Sequence, residues 1–240
     1  MVDKTPIDPV LFLAILIETR LKFDRFVIKA KMDDAKVAGW RLKVVERYQS
    51  GRSSSYKAMN TFYDKNDPHW QWKQNRIVML ESALQVSNRA QRYKEWLSRV
   101  LLSSNEDLSS PDKIIRILEG YARERIKAEK EKRTAESDRS FFGLGTDTPH
   151  LVLNITDYLL WWKYERELPD LSFVLGYANS VEHHHPRHQK QAEIAKDGIW
   201  SPEECDEIGN LYMVYSSENS SMSDRYTYQK ASDYGVANID

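Results

Sequence analysis

The sequence has a single cysteine in 240 residues, Cys205. One thiol excludes an intramolecular disulfide and a cysteine-rich zinc module, and it suits a reducing compartment. Long apolar runs are also missing. The best is Val10–Ile17, eight residues followed by Glu18 and Arg20, far short of the roughly 18 needed to span a bilayer. Asp3, Lys4, Pro6 and Asp8 ahead of it do not form a signal-peptide n-region. The expectation is a chain without membrane contact, located in the cytoplasm. No internal repeat and no low-complexity tract stands out, and no Walker-type glycine-rich loop occurs. Hydrophobic residues make up 41% and charged residues 30%, well mixed in sign, which argues against global disorder and allows a real core.

Net charge is low in magnitude, −1 in all, but unevenly spread. Residues 1–133 hold 27 Lys and Arg against 18 Asp and Glu, a balance of +9. Residues 134–240 hold 8 against 18, a balance of −10. A basic surface attracts polyanions, and phosphate contacts dominate nucleic-acid affinity. The alternative is that the two parts neutralise each other in the fold.

Pro9 opens a helix whose apolar spacing runs to Met32, and Asp33-Asp34 reads as the cap of a second helix through Trp40, Leu42, Val45 and Tyr48. Ser50–Ser55 has loop composition, and 62–72, with Asp67-Pro68, reads as irregular. A long helix is expected over Gln74 to about Leu102, with Tyr93 among its apolar positions, and another starts at Ser109-Ser110-Pro111-Asp112. Its continuation, Arg123–Arg133, alternates in sign and reads as a solvated helical face or a nucleic-acid contact. Phe142–Pro149 carries two glycines and a proline, a linker or turn. Leu151–Trp162 is apolar nearly all round, as buried helices are. Leu171–Leu175 and Leu211–Tyr215 are short strand candidates. The expected fold is mostly α with a small C-terminal α+β module. The domains are 1–145, helical and basic, and 146–240, which carries the chemistry.

That chemistry rests on two segments. Ser180-Val-Glu-His-His-His-Pro-Arg-His188 places Glu182, His183, His184, His185 and His188 within seven positions. Imidazole accepts protons near neutral pH and ligates metals, and a neighbouring carboxylate suits a hard divalent cation. In a strand, Glu182 and His184 face one way and His183 and His185 the other, so not all can share one site. A polar loop, or a structural zinc site joining some of these histidines to Cys205, fits the same residues. The second segment is Ile208–Arg225, in which Gly209-Asn210-Leu211 leads into a strand and Ser216–Ser223 into a helix.

Glu182-His183, Pro186, Gly209-Asn210-Leu211, Asn219-Ser220 and Lys230, taken in order, resemble the HNH, or ββα-metal, nuclease motif. The form is similar to that of the C-terminal domain of GmrSD-type modification-dependent restriction endonucleases and related phage-defence proteins. Asp157–Trp162 and Asn179–His183 also look like that family, and the resemblance covers roughly residues 148–230. It implies a helical bundle followed by a ββα-metal core, acting as a DNA endonuclease in restriction or anti-phage defence. By resemblance, His183 is the general base, Glu182 and Asn219 hold one divalent ion (Mg²⁺, or Mn²⁺), and Asn210 braces the loop. Arg225 and Lys230 are phosphate contacts, with ordinary helix-surface cations as the alternative, and His185 and His188 have no obligatory role, lying in a loop or beside the substrate. Glu182 stands where many of these nucleases have Asp, Asn219 where some have His, and Arg187 where relatives often have Gln. The implied partner is double-stranded DNA, modified or of phage origin. Full-length relatives begin with a ParB-like sensing domain bearing an Asp-Gly-Gln-Gln-Arg motif. Neither that motif nor a nucleotide-binding loop occurs here, so no nucleotide cofactor is expected. The sequence stops at Asp240, where another helix is expected, so it reads as an effector fragment or a stand-alone short form. A non-catalytic helical DNA- or partner-binding subunit with a degenerate nuclease fold is the other reading.

Overall fold

The computed structural model describes residues 8–33, 36–51, 53–64, 69–87, 94–136, 138–165, 167, 173–188 and 199–222. Tyr93, Asp67-Pro68, Leu171-Ser172, Arg225 and Lys230 lie outside the described residues. The architecture is mixed α+β. The chain divides into two compact units. One comprises Met1–Gln85, Ala90–Ala122 and Asp170–Leu175; the other Val86–Arg89, Arg123–Pro169 and Gly176–Asp240.

The first unit opens on α1 (Pro9–Phe26), with Asp8 as its cap: its Oδ1 accepts from the Val10 N–H at 2.9 Å. The expected extension of this helix to Met32 is corrected. Val27 turns to extended geometry, and the chain enters β1 (Lys29–Asp33). The helix expected from Asp33 to Tyr48 is corrected too. β1 pairs antiparallel with β2 (Lys36–Arg41), and β3 (Lys43–Ser50) with β4 (Ser53–Asn60). Val44, Val45 and Tyr48 favour strands, and Gly51, at φ 61°, supplies the left-handed turn between β3 and β4. In the stretch expected as loop, Ser50 therefore ends β3, Gly51 makes the turn and Ser53–Ser55 begin β4. A first unit made only of helices is thereby corrected to helices plus two ribbons.

α2 (His69–Ser87) up to Gln85, α3 (Glu95–Leu102) and the first part of α4 (Pro111–Glu136) complete this unit. α4 begins where Ser110-Pro111 predicts it. The core gathers Ile77, Leu80, Ala83, Trp96, Val100, Ile114 and Leu118. Glu81 sits inside it, fully buried, with Oε2 accepting from the Ile28 N–H at 2.9 Å. Burial raises its carboxyl pKa to about 8.

In the second unit, residues 123–135 of α4 are polar and mostly exposed. Phe141, Leu144 and Val152 form a buried cluster with Ile126 and Ile208 against it. The glycine-rich stretch is thus a packed turn around a short 3-10 segment, Gly145–Asp147. α5 (His150–Tyr164) buries Val152, Leu153, Ile155, Tyr158 and Trp161, while Leu159 and Leu160 stay half exposed. β5 (Ser180–His183) and β6 (Leu211–Val214) form an antiparallel pair, with α6 (Pro202–Cys205) and a 3-10 turn (Ile208–Asn210) between them in sequence and α7 (Ser216–Met222) after them. Phe173–Leu175, in the first unit, forms no strand; the Leu175 carbonyl instead accepts from Trp40 Nε1 at 2.7 Å.

Candidate active site

β5 and β6 pair in the register Ser180–Val214, Val181–Met213, Glu182–Tyr212 and His183–Leu211. Strand alternation puts Ser180 and Glu182 on one face and Val181 and His183 on the other. Val181 and His183 are the buried pair. α7 follows β6 after a single residue, Tyr215, whose carbonyl accepts from the Asn219 N–H at 2.9 Å. The Ser216 N–H donates to Asn179 Oδ1 at 3.1 Å, which ties the start of α7 to the residue just ahead of β5. From α7, Asn219 Nδ2 donates to Ser180 Oγ. Asn219 therefore lies on the Glu182 face of the hairpin.

Asn210 lies at the other end of this pair and is buried. Its Oδ1 accepts from the His185 N–H at 2.7 Å. Its Nδ2 donates to the carbonyls of His185 at 2.9 Å and Cys205 at 2.8 Å. Its own carbonyl accepts from the His184 N–H at 2.7 Å. One amide thus holds the chain that leaves β5 against the chain that enters β6, and no apolar residue of the same size could satisfy those buried backbone groups.

On the buried face, His183 Nε2 lies 3.2 Å from Asp206 Oδ1. Asp206 is 4% exposed and His183 9%. The carboxylate is placed by α6, which begins with a capping box: Ser201 Oγ accepts from the Glu204 N–H at 3.2 Å, and Glu204 Oε2 from the Ser201 N–H at 2.7 Å. Asp206 follows this helix directly. Arg187 forks across it, with Nε on Oδ1 at 2.8 Å and Nη2 on Oδ2. Arg139 Nη2 donates to Oδ2 at 3.0 Å. The Asp206 carbonyl accepts from the Gly145 N–H at 3.0 Å. Gly145, at φ 59°, has no room for a side chain, since a Cβ would sit 2.5 Å from Asp206 Oδ1. Burial pushes the Asp206 pKa up, but the hydrogen bonds from Arg187 and His183 outweigh it and hold the carboxyl below its usual range. Asp206 is therefore ionised at neutral pH, and an ionised partner favours the Nε2–H tautomer of His183, which puts the ring's lone pair on Nδ1.

The structure brings Asn219 onto the Glu182 face and Asn210 against His185, and it turns His183 to Asp206 on the opposite face of β5, so the expected base and the expected metal ligands lie on different sides of the hairpin. It does not place the other histidines with them. His185 is buried and stacked on Trp200 at 4.5 Å and 5°. His184 is exposed, with its ring edge-on to Tyr212, and His188 is exposed. Asp206, Arg139, Asn179 and Ser180 were not singled out as site residues from the sequence. The Ser201-Pro202-Glu203-Glu204 helix start is the one local signal that could have fixed Asp206.

Glu182 and Asn219 are hard oxygen donors on one face, and with Nδ2 committed to Ser180, Asn219 has Oδ1 as its ligand atom. A Mg²⁺-like ion is commonly held by one or two such protein oxygens, with waters completing the shell, so the donor set fits. Among the described residues no cluster of three or more His, Cys, Asp or Glu is arranged to hold a metal, and a His–Cys zinc site has no support there. No helix among the described residues is long and apolar enough to cross a membrane. Comparison with family models, curated proteins and solved structures returns no match.

Proposed function

We propose that the chain is a metal-dependent DNA endonuclease of HNH type, working in restriction or anti-phage defence. The observation that carries this reading is the strand–strand–helix unit itself: α7 presents Asn219 to the face of β5 that bears Glu182, and Asn210 clasps the segment that follows His183.

Asp206 holds the His183 ring by Nε2 and fixes its tautomer, so that Nδ1 takes the proton from the attacking water. Arg187 keeps the Asp206 carboxylate ionised, and Arg139 helps to orient it. Glu182 and Asn219 hold a divalent cation, which when bound supplies positive charge to the scissile phosphate and the leaving 3′ oxygen. Asn210 keeps the strand end in place while this happens. The basic residues of the first unit supply sequence-independent affinity for the phosphate backbone. Arg225 and Lys230 add phosphate contacts in the same reading.

Plasmid nicking with Mg²⁺ or Mn²⁺, and with EDTA as the control, tests this. Cleavage is expected with either ion, none with EDTA, and none by His183→Ala or Glu182→Ala. If His183→Ala cuts as fast as the parent, the reading is wrong. The placement of His183 on the face of β5 opposite Glu182 and Asn219, with its burial at 9% exposure, favours the second reading, a non-catalytic DNA- or partner-binding subunit on a degenerate nuclease fold. That reading expects DNA binding without cleavage under every ion tested.

A further inference from the structure

The β3–β4 ribbon is exposed along most of its length, yet it is firmly rooted. Leu42, just ahead of β3, is 1% exposed, and Thr61 and Phe62, just after β4, are buried with it. The Leu42 carbonyl accepts from the Thr61 N–H at 3.4 Å, Thr61 Oγ1 donates to the Arg25 carbonyl at 2.6 Å, and Gln74 Oε1 accepts from the Phe62 N–H at 2.7 Å. An isolated two-stranded ribbon is marginal in water. An arm of two eight-residue strands, about 27 Å long and fixed on such a root, is built to meet a partner.

Charge selects the kind of partner. Residues 29–60 hold eight Lys and Arg against three Asp and Glu, a balance of +5, more than half of the +9 carried by residues 1–133. Within the ribbon, register and alternation assign the cations to faces. Arg47 lies directly across from Tyr56, and Glu46 from Lys57, so Arg47 and Tyr56 share one face while Lys57 and Tyr48 share the other. Each face thus carries a cation and an exposed tyrosine, Tyr56 at 70% and Tyr48 at 48% exposure. Arg47 Nη2 donates to Ser54 Oγ at 3.1 Å, which aims the guanidinium towards the turn. That turn is slim: apart from Arg52, which lies outside the described residues, it consists of Gly51 and serines.

We propose that the β3–β4 ribbon enters the major groove of duplex DNA turn first, with Arg47 and Lys57 on opposite phosphate walls. This rests on the proposed DNA-binding reading and deepens it by naming the element that holds the duplex. Dimensions select the groove. The major groove is about 12 Å wide and about 8.5 Å deep and admits a two-stranded ribbon. The minor groove, about 6 Å wide, is too narrow once side chains are added to strands about 4.8 Å apart. Arg47 lies three positions before the end of β3 and Lys57 four positions after the start of β4, about 10 Å and about 13 Å from the turn. With the turn on the groove floor, both long side chains come level with the phosphate rims, and their placement on opposite faces lets one serve each strand. Lys43, seven positions before the end of β3, sits about 23 Å back and stays clear of the groove. The major groove of an A-form RNA duplex is deep and narrow and does not take the ribbon.

The test is fluorescence anisotropy on the full chain, in EDTA so that no cleavage intervenes, with a labelled DNA duplex, the RNA duplex of the same sequence and one DNA strand alone. Arg47→Gln with Lys57→Gln is expected to weaken binding to the DNA duplex about tenfold or more, while Lys43→Gln, the same charge change near the root, costs about twofold at most. The RNA duplex is expected to bind about tenfold more weakly than the DNA duplex. All three positions are solvent-exposed, so circular dichroism is expected to be unchanged in the variants. Three results overturn the proposal: a Lys43→Gln loss as large as that of the pair, an RNA duplex or single strand bound as tightly as the DNA duplex, or a paired variant that changes the mass of the chain in solution but not its DNA affinity. Undiminished binding by the paired variant overturns the role of the ribbon and leaves the DNA reading standing, whereas a parent that binds no duplex removes both.

Discussion

The imidazole of His183 and the carboxylate of Asp206 meet at 3.2 Å across 23 positions of sequence, and two arginines donate to that carboxylate and hold it in place. In the proposed nuclease reading, His183 is a base whose tautomer is fixed before substrate arrives. Asp206→Asn keeps the size of the side chain but can present its amide N–H to Nε2, which favours the wrong tautomer. Single-turnover nicking is expected to fall by about 10²-fold or more, by analogy with other carboxylate-oriented histidine bases, with little change in DNA affinity. An unchanged rate would remove Asp206 from the mechanism.

The same carboxylate governs part of the acid limb of stability. Its pKa is depressed in the folded state. The stabilisation it gives is therefore complete above the unfolded carboxyl pKa of 3.8 and is lost as pH falls through the lower folded value. Urea titrations on the acid side are expected to show a shallower loss of stability with falling pH in Asp206→Asn than in the parent.

Glu81 gives the opposite sign. Its pKa rises from 4.5 to about 8 on folding, so the native state binds the proton more tightly than the unfolded chain. Stability from this group is full below about pH 4.5 and declines as pH rises towards 8, by at most about 1.4 kcal/mol per pH unit. Glu81→Gln is expected to flatten that slope while its amide oxygen keeps the bond from the Ile28 N–H. Chemical denaturation at several pH values between 5 and 8 reads the difference directly.

Local chemistry was legible in the sequence, and long-range pairing was not. Ser110-Pro111 marked the start of α4 because a cap is written in adjacent residues. Leu211–Val214 read as a strand because its residues are β-formers. The ribbons from Lys29 to Asn60 were missed for a physical reason: β4 is exposed along most of its length and β3 along nearly all of its own. Neither shows the period-two alternation that marks a half-buried strand. Meanwhile Trp40, Leu42, Val45 and Tyr48 happen to fit a helical face. At the site, alternation correctly separated His183 and His185 from His184. Nothing near Asp206 in sequence signals that Arg139, Gly145, His183 and Arg187 all converge on it.

Asn210→Ala is expected to be the costliest truncation in the second unit. It removes three buried hydrogen bonds and strands the His185 N–H and the carbonyls of His185 and Cys205. A loss of about 3 kcal/mol follows from ordinary values for such groups. Equilibrium unfolding measures it, and a loss under 1 kcal/mol would mean that water replaces the amide.

The β3–β4 ribbon carries Lys43, Arg47 and Lys57 on exposed positions. A two-stranded ribbon of this kind is narrow enough to enter a DNA major groove. If it contacts the backbone, Arg47→Glu with Lys57→Glu should reduce the slope of log affinity against log salt by about 2. Fluorescence anisotropy on a labelled duplex supplies the slope, and an unchanged value places the DNA elsewhere.

Gly145 gives its N–H to the Asp206 carbonyl and, at φ 59°, leaves no side chain against the Asp206 carboxylate. A methyl group there would push first against the carboxylate that steers His183, and only afterwards against the packing around it. Under the proposed reading, Gly145→Ala is expected to slow nicking and, because φ is 59° there, to cost stability as well.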